Sequence, residues 1–222
     1  MKTPAWREED WQQLPVIEDN AQWQELVEYS HRTETDITDL HVRHLTAEQP
    51  NWDHMGFSRV WFDDCRFTGV SISQASFYHV RFEGGDLSGG DIRRSHFRQC
   101  EFTKAKGVGL IVSDSFFRRV RFSDWNGRYM QWATCELEQV DWINADCREA
   151  LFSDCPLKTV RFDHTALQQT QFFKTYLKGI DLTSCDIDGL SVSERMTELQ
   201  GAVVDLYQAA ELARMLGIII RS

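Results

Sequence analysis

Residues 57–102 read FSRVW FDDCR FTGVS ISQAS FYHVR FEGGD LSGGD IRRSH FRQCE F, so that a large apolar residue opens every group of five. This series runs without a slip to Val192, and 25 of its 28 positions hold Phe, Leu, Ile, Val or Trp. A second series lies two residues before each of these positions and is mostly small: Val, Cys, Ala, Ser, Thr or Gly. No residue of either series is charged, which predicts that both series face a protein interior.

A period of five fits neither regular secondary structure. A five-residue step rotates by about 140° around an α-helix, so no apolar stripe forms. The same odd step along a β-strand moves the side chain to the opposite face. A chain that turns a corner every five residues keeps both series inside, and such a chain is a solenoid whose coils stack on one another.

The exceptions to the large apolar series indicate the length of one coil. They are Gly107, Gly127 and Cys147, and each lies twenty residues from the next. Four groups of five per coil would stack these three positions directly. Trp125, the one oversized residue of the small series, could then fill the volume that they leave. The expectation is a four-sided coil of twenty residues, with about seven coils over residues 55–194.

The units VRFEG, CEFTK, VRFSD, IDLTS and CDIDG make residues 55–194 resemble the pentapeptide-repeat family. This resemblance implies an all-β fold, a right-handed quadrilateral β-helix of short strands and turns. The handedness comes from the resemblance and not from the spacing.

The ends of the chain do not follow the repeat. Residues 1–54 contain 4 basic and 12 acidic residues, whereas the whole chain has a net charge of −10. We expect a helix that begins at Asp19/Asn20 and runs through His31, and irregular coils around residues 37–42. The tryptophans of this segment are expected to cover Phe57 and Phe62, so that the segment caps the first coil; they are Trp6, Trp11, Trp23 and Trp52.

Residues 195–222 are expected to form a helix and a short strand. Asp205 and Gln208 have the spacing of a capping box, and Gly217 is a typical helix stop, which predicts a helix over 206–216. Gln208, Glu211 and Arg214 lie opposite its apolar arc. The expected contact residues are Leu206, Ala209, Ala210, Leu212, Ala213, Leu216, Ile218 and Ile220.

Two interpretations of this C-terminal module remain open: it closes the solenoid, or it joins two copies of the chain. The string VVDLYQAAELARMLGIII resembles the C-terminal module of the topoisomerase-protecting pentapeptide proteins of quinolone resistance. That resemblance implies a homodimer joined tail to tail.

The sequence contains no strong motif for catalysis, for metal binding or for a cofactor. The six cysteines lie in the two inward series without C-x-x-C spacing, so they are expected to be buried and reduced. His41, His44 and His54 form a weak metal pattern that a solvated cap also explains. Phosphate loops, dinucleotide fingerprints and paired catalytic carboxylates do not occur. The sequence therefore predicts no enzyme activity, no metal and no cofactor.

Two outward surfaces are candidates for a partner protein. One is the acidic side of the coil, which lies next to a basic side and includes Asp141, Asp163 and Asp181; along the axis the C-terminal half is also acidic, since residues 129–194 contain 5 basic and 11 acidic residues. The alternative explanation of such charged rows is solubility. The other surface is apolar, and a local shift of register that buries its residues is the competing explanation; they are Val108, Ile111, Tyr129 and Leu151.

The acidic balance argues against direct nucleic-acid binding, and no apolar run is long enough to span a membrane. A cytoplasmic location is the expectation, because no apolar leader is visible. The function expected is non-catalytic protein–protein interaction with an undefined partner. The alternative is protection of DNA gyrase or topoisomerase IV by imitation of DNA, in quinolone resistance or toxin immunity, which the family resemblance implies.

Overall fold

The computed structural model describes residues 11–221, which form a parallel β-solenoid of four-sided coils. Two α-helices lie at its ends, α1 (Asn20–Thr33) and α2 (Leu206–Met215), and short 3-10 turns occur at Trp11–Gln13 and Thr197–Leu199. The strands are β1 Val16–Ile17, β2 Ile37–Arg43, β3 Gly56–Asp63, β4 Ser71–Ser73, β5 Ser76–Tyr78, β6 Arg81–Glu83, β7 Asp91–Arg93, β8 His96–Arg98, β9 Glu101–Thr103, β10 Ile111–Ser113, β11 Phe116–Ser123, β12 Gln131–Ala133, β13 Glu136–Ile143, β14 Leu151–Ser153, β15 Leu157–Lys158, β16 Arg161–Asp163, β17 Gln171–Phe173 and β18 Ser191–Val192.

Every strand from β2 to β18 pairs in parallel with residues twenty positions away. Phe57 lies beside Phe77, Val112 beside Trp132, and Phe152 beside Phe172. We name the four sides of the coil by the residues that open them in its first regular turn: the first side by Phe57, the second by Phe62, the third by Phe67 and the fourth by Ile72. The first two sides belong to one sheet and the fourth to another, whereas the third is held by single bridges such as Arg66–Asp86.

The five-residue period depends on corners in the backbone. The residue two positions after each inward residue usually adopts a left-handed conformation, as at Asp64 (φ 49°) and His79 (φ 56°). This conformation reverses the direction of the side chains at each corner, so the next group of five again points its large residue inward. All 56 positions of the two series are buried except Gly85, Leu157 and Val192, which confirms the predicted interior.

The solenoid has about eight coils, one more than expected. β2 pairs with β3 in the same twenty-residue register, with Ile37 beside Phe57 and Val42 beside Phe62. The stacking therefore begins one coil before the boundary expected at residue 55. At its edge β1 adds a further strand, because Ile17 lies beside Val42.

Helix α1 closes the N-terminal end of the solenoid. It begins, as expected, at the N-cap Asp19, whose side chain accepts a hydrogen bond from the Gln22 backbone N–H (2.9 Å). Trp23 is buried, with ring centres 6.2 Å from Trp52 and 5.8 Å from Phe62. Trp11 does not cover Phe57 and Phe62 as expected, because it packs edge-on against His79 on the side of the solenoid. Trp6 lies outside the described residues.

Trp125 fills the volume left by the two glycines of the large apolar series. A Cβ atom at Gly107 or Gly127 would overlap the Trp125 indole. The indole is buried and packs edge-on against Phe102 (5.6 Å between ring centres) and Phe122 (5.4 Å). The glycines and the tryptophan are therefore one packing unit that spans adjacent coils.

This unit predicts a compensating pair of substitutions. Trp125→Ala alone should lower the free energy of unfolding by about 3–5 kcal/mol because it leaves a cavity. Gly107→Leu alone should destabilise by about 1–3 kcal/mol or more, because the added side chain meets the indole. The double variant should be more stable than the sum of the two changes implies, as measured by urea unfolding. Strict additivity would contradict the packing unit.

Candidate interaction surfaces

The C-terminal module is fixed to the last coil by buried polar groups. The capping box expected at α2 is present: the Asp205 side chain accepts from the Gln208 backbone N–H, and the Gln208 side chain accepts from the Asp205 backbone N–H. The Gln208 Nε2 group also donates to the carbonyl oxygens of Leu182 and Cys185, each at 2.8 Å. Gln208 therefore hydrogen-bonds to the end of the solenoid.

Glu198 makes a second buried attachment. Its carboxylate accepts from the Lys174 backbone N–H (3.0 Å) and from the Ser193 hydroxyl (2.7 Å). Burial acts to raise the pKa of this carboxyl, but these hydrogen bonds outweigh it, and the pKa lies below its usual value. The carboxylate thus stays ionised and holds the 3-10 turn against the last coil.

The orientation of α2 differs from the expectation in one respect. Gln208, expected on the side opposite the contact residues, is buried against the solenoid. Leu212 is half-buried and packs against the core, whereas Leu206, Tyr207 and Leu216 are exposed. The helix therefore presents a strongly apolar surface outward.

The exposed tail beyond α2 extends this surface. Gly217 has a φ of 75°, as expected of a helix stop. Ile218, Ile219 and Ile220 follow it and are all exposed, and they form no strand in this structure, which differs from the expected strand. Among the candidate contact residues, Ala209 is exposed and Ala210 and Ala213 are half-buried.

The structure does not bring the three acidic candidates together as an unpaired row. Asp141 pairs with Arg161 (3.3 Å), which occupies the outward position between Asp141 and Asp181 on the second side. Asp163 lies 2.7 Å from the His164 ring. Asp181 accepts hydrogen bonds from the Thr183 hydroxyl (2.7 Å) and backbone N–H (2.9 Å), which lower the pKa of Asp181.

On the second side, the outward residues that directly precede the large inward residues alternate in charge from one coil to the next, from Arg81 to Asp181. Glu101 lies between Arg81 (3.3 Å) and Arg121 (3.9 Å). The first side has a similar group, in which Glu138 lies 3.7 Å from Arg118 and 3.4 Å from Lys158. The pairs neutralise neighbouring charges, but over the whole solenoid the first side still has more basic than acidic outward residues, and the second side has more acidic than basic ones.

The strands of the fourth side carry no charge over four successive coils, whereas the corner residues that follow them include Asp114, Asp154 and Lys174. The outward residues on β10, β12, β14 and β17 are Ile111, Ser113, Gln131, Ala133, Leu151, Ser153, Gln171 and Phe173. Ile111 and Phe173 are exposed, and Gln131 separates Ile111 from Leu151. Ile111 and Leu151 keep the twenty-residue register, so a local shift does not bury them.

The neighbouring corner carries the remaining apolar candidates. Val108 is half-buried and Tyr129 is exposed. The Arg128 guanidinium lies 5.2 Å from the Tyr129 ring centre and donates to its hydroxyl (3.1 Å). The apolar candidates therefore form a broken row beside the uncharged strands of the fourth side and not one continuous patch.

The cysteines and the candidate histidines have structural surroundings. All six thiols are free and buried, and burial raises the pKa of Cys65 and Cys100 to about 12, so these thiols stay protonated. His41 stacks on Trp61 (3.9 Å), and burial lowers the pKa of its ring despite the hydrogen bond to Asp63. No group of His, Cys, Asp or Glu that could hold a metal ion occurs within residues 11–221.

A match to a known protein-family model supports the five-residue repeat. Residues 57–89 match the family model described as pentapeptide repeats (8 copies). The chain carries pentapeptide repeats. In the same stretch of the chain that the structure describes, no helix has the length and apolar character to cross a membrane.

Two solved structures have a low similarity to this chain over most of its length. The chain is 18% identical to a trypsin-treated variant of QnrB1, a plasmid-mediated fluoroquinolone resistance protein, with a TM-score of 0.39 over 85% of this chain and 100% of that one. It is 10% identical to HetL, a protein involved in heterocyst differentiation regulation from the cyanobacterium Nostoc sp. strain PCC 7120, with a TM-score of 0.27 over 81% and 93% of the two chains. The comparison with curated proteins finds no match.

Proposed function

We propose that this pentapeptide-repeat chain acts by protein–protein interaction, as a homodimer joined through residues 195–222. The observation that carries the proposal is the orientation of α2, which uses Gln208 to bind the solenoid and leaves its apolar residues in water. Leu206, Tyr207 and Ile219 are 81%, 83% and 85% exposed. A capping helix alone has no need of such a surface.

The free energy of burial favours association at this end. Removing apolar surface from water contributes about 25 cal/mol per Å², and exposed apolar residues lie at both ends of α2 and in the tail that follows it. A two-fold contact would place each apolar helix against its copy and cover both surfaces at once. Among the described residues at the N-terminal end, the main apolar contact of α1 points inward, because α1 buries Trp23 against the first coil.

A dimer joined at this end would form a long rod with two copies of each side. The uncharged strands of the fourth side then offer a partner protein a narrow surface whose burial does not itself remove an ion from water. Ile111 and Phe173 are its exposed apolar residues. The partner remains undefined in this proposal.

A second candidate function is protection of DNA gyrase or topoisomerase IV. Its support is the sequence resemblance of the C-terminal module and the acidic excess of residues 129–194. Asp181 stays ionised through its bonds to Thr183, and dimerisation would bring two such acidic halves next to each other. The ion pair of Asp141 with Arg161 reduces this charge, so Asp163 and Asp181 are the residues to test.

Sedimentation tests the dimer. The 25.9 kDa chain should sediment as a dimer at tens of micromolar, and Tyr207→Asp should shift it to monomer because a charge would be buried at the contact. Since Tyr207 is exposed within one chain, the melting of the solenoid should change little. The matched control is Tyr78→Asp, which alters an exposed tyrosine on the first side and should remain dimeric. A monomeric parent protein would refute the dimer.

Gyrase supercoiling tests the second candidate. The parent protein should inhibit supercoiling in low salt and less so in high salt, because contact between oppositely charged surfaces releases counterions. Asp163→Lys with Asp181→Lys should abolish inhibition. Glu25→Lys with Glu48→Lys makes the same charge change at the other end and should leave inhibition intact. No effect of the parent protein on either topoisomerase would exclude this candidate while leaving the dimer unaffected.

A further inference from the structure

The first side of the solenoid is basic over three successive coils. Residues 76–79, 96–99 and 116–119 form this side on adjacent coils, and they include three arginines but no Asp or Glu. The whole chain has a net charge of −10, so the sign of the charge is reversed here. We call this area the basic surface and define it by Tyr78, His96, Arg98, Phe116, Arg118 and Arg119.

The arginines of the basic surface are poorly neutralised. Arg98 and Arg118 lie beside each other on β8 and β11, and like charges at neighbouring positions of adjacent strands are destabilising. Arg118 lies 3.7 Å from the Glu138 carboxylate, which a lysine of the next coil shares. Among the described residues Arg98 has no carboxylate partner, and its guanidinium lies 5.7 Å from the Tyr78 ring centre. Arg119 donates to a neutral glutamine side chain (3.1 Å).

Aromatic side chains lie beside these arginines. Tyr78 precedes Arg98 in the same column of the sheet and is 47% exposed. The exposed His96 ring has its centre 6.4 Å from that of Phe116, which is half-buried. The basic surface therefore offers guanidinium groups for anions and ring faces for an apolar group.

Carboxylates mark the limits of the basic surface. In the next coil its two columns continue with Glu136 and Glu138. In the preceding coil Arg59 is paired with Asp39, and Asp114 lies at the neighbouring corner. Three coils span about 14 Å at the usual spacing of β-strands, which matches about four residues of extended peptide.

Both the size and the surroundings of the basic surface favour a short anionic ligand. A nucleic acid is a long polyanion, so it would extend beyond the surface onto carboxylates that repel it. A short acidic peptide ends before it reaches them. Its carboxylates also suit the guanidinium groups of adjacent arginines.

We propose that the basic surface binds a short acidic segment of a partner protein. Carboxylates of this segment pair with Arg98 and Arg118, and an aromatic side chain of the segment packs on the exposed Tyr78. The inference rests on the proposed protein–protein interaction, whose partner it describes by its chemistry, but it does not depend on the homodimer.

Calorimetric titration of the full chain with the blocked peptide Ac-EEFEE-NH2 tests this surface. The peptide should bind saturably in low salt, one molecule per chain, and added salt should weaken binding because the contacts join exposed charges. Ac-QQFQQ-NH2 has the same length and ring without the charge, and it should bind at least about 10-fold more weakly. The single-stranded oligonucleotide pentathymidylate should also bind more weakly than Ac-EEFEE-NH2. The reverse order would assign the surface to nucleic acids and overturn the proposal.

Variants locate the bound peptide. Arg98→Gln with Arg118→Gln should weaken binding of Ac-EEFEE-NH2 at least about 10-fold, and the melting temperature should change little because neither side chain belongs to the core. The matched control is Lys104→Gln with Lys106→Gln, which makes the same charge change at exposed positions outside the first side, in the same coil as Arg98, and should bind as the parent does. Absence of saturable binding, equal binding of the two peptides, or unchanged binding by the arginine variant would overturn the proposal. None of these results would alter the outcome of the sedimentation test of the dimer.

Discussion

Stacking at an interval of twenty residues is the constraint on which the rest of this structure depends. A single coil has neither a closed core nor paired backbone groups, and both are completed by the next coil. Phe62, Phe82, Phe102 and Phe122 stack with ring centres 4.8 Å apart, a distance close to the spacing of β-strands. The side-chain stack and the hydrogen-bonded ladder therefore enforce the same register.

The two ends of the solenoid are closed in different ways, because the backbone groups of each terminal coil lack a further coil to pair with. At the N-terminal end, α1 covers the core with Trp23. At the C-terminal end, Gln208 donates to the buried carbonyl oxygens of Leu182 and Cys185, the first of which also accepts from the Cys185 backbone N–H. A polar residue must therefore face the solenoid, and the apolar residues of α2 turn outward. The need to satisfy backbone groups thus creates the surface proposed to join two copies.

The sequence predicts the interior well because burial repeats with a fixed period. The position of Gly107, Gly127 and Trp125 even indicates the coil length and the packing that follows. It predicts the first coil less well: Ile37, Val42 and Trp52 lie in phase with the large apolar series, but Ala47 interrupts the series between them. Gln208 looks exposed on a helical wheel, since the wheel does not include the carbonyl groups of the solenoid.

The charges of Arg81, Glu101 and Arg121 alternate along the solenoid because each residue lies twenty positions from the next. This alternation is not visible when the charges of a whole side of the coil are counted together.

Deletion of whole and partial coils tests the stacking constraint most directly. Removal of residues 77–96 takes out one coil and places Phe57 next to Phe97 in unchanged register. This variant should unfold cooperatively and be shorter by about 4.8 Å in small-angle scattering. Removal of residues 77–81 moves every later residue to a different side and should destroy the cooperative transition. A five-residue deletion as stable as the twenty-residue deletion would contradict the account.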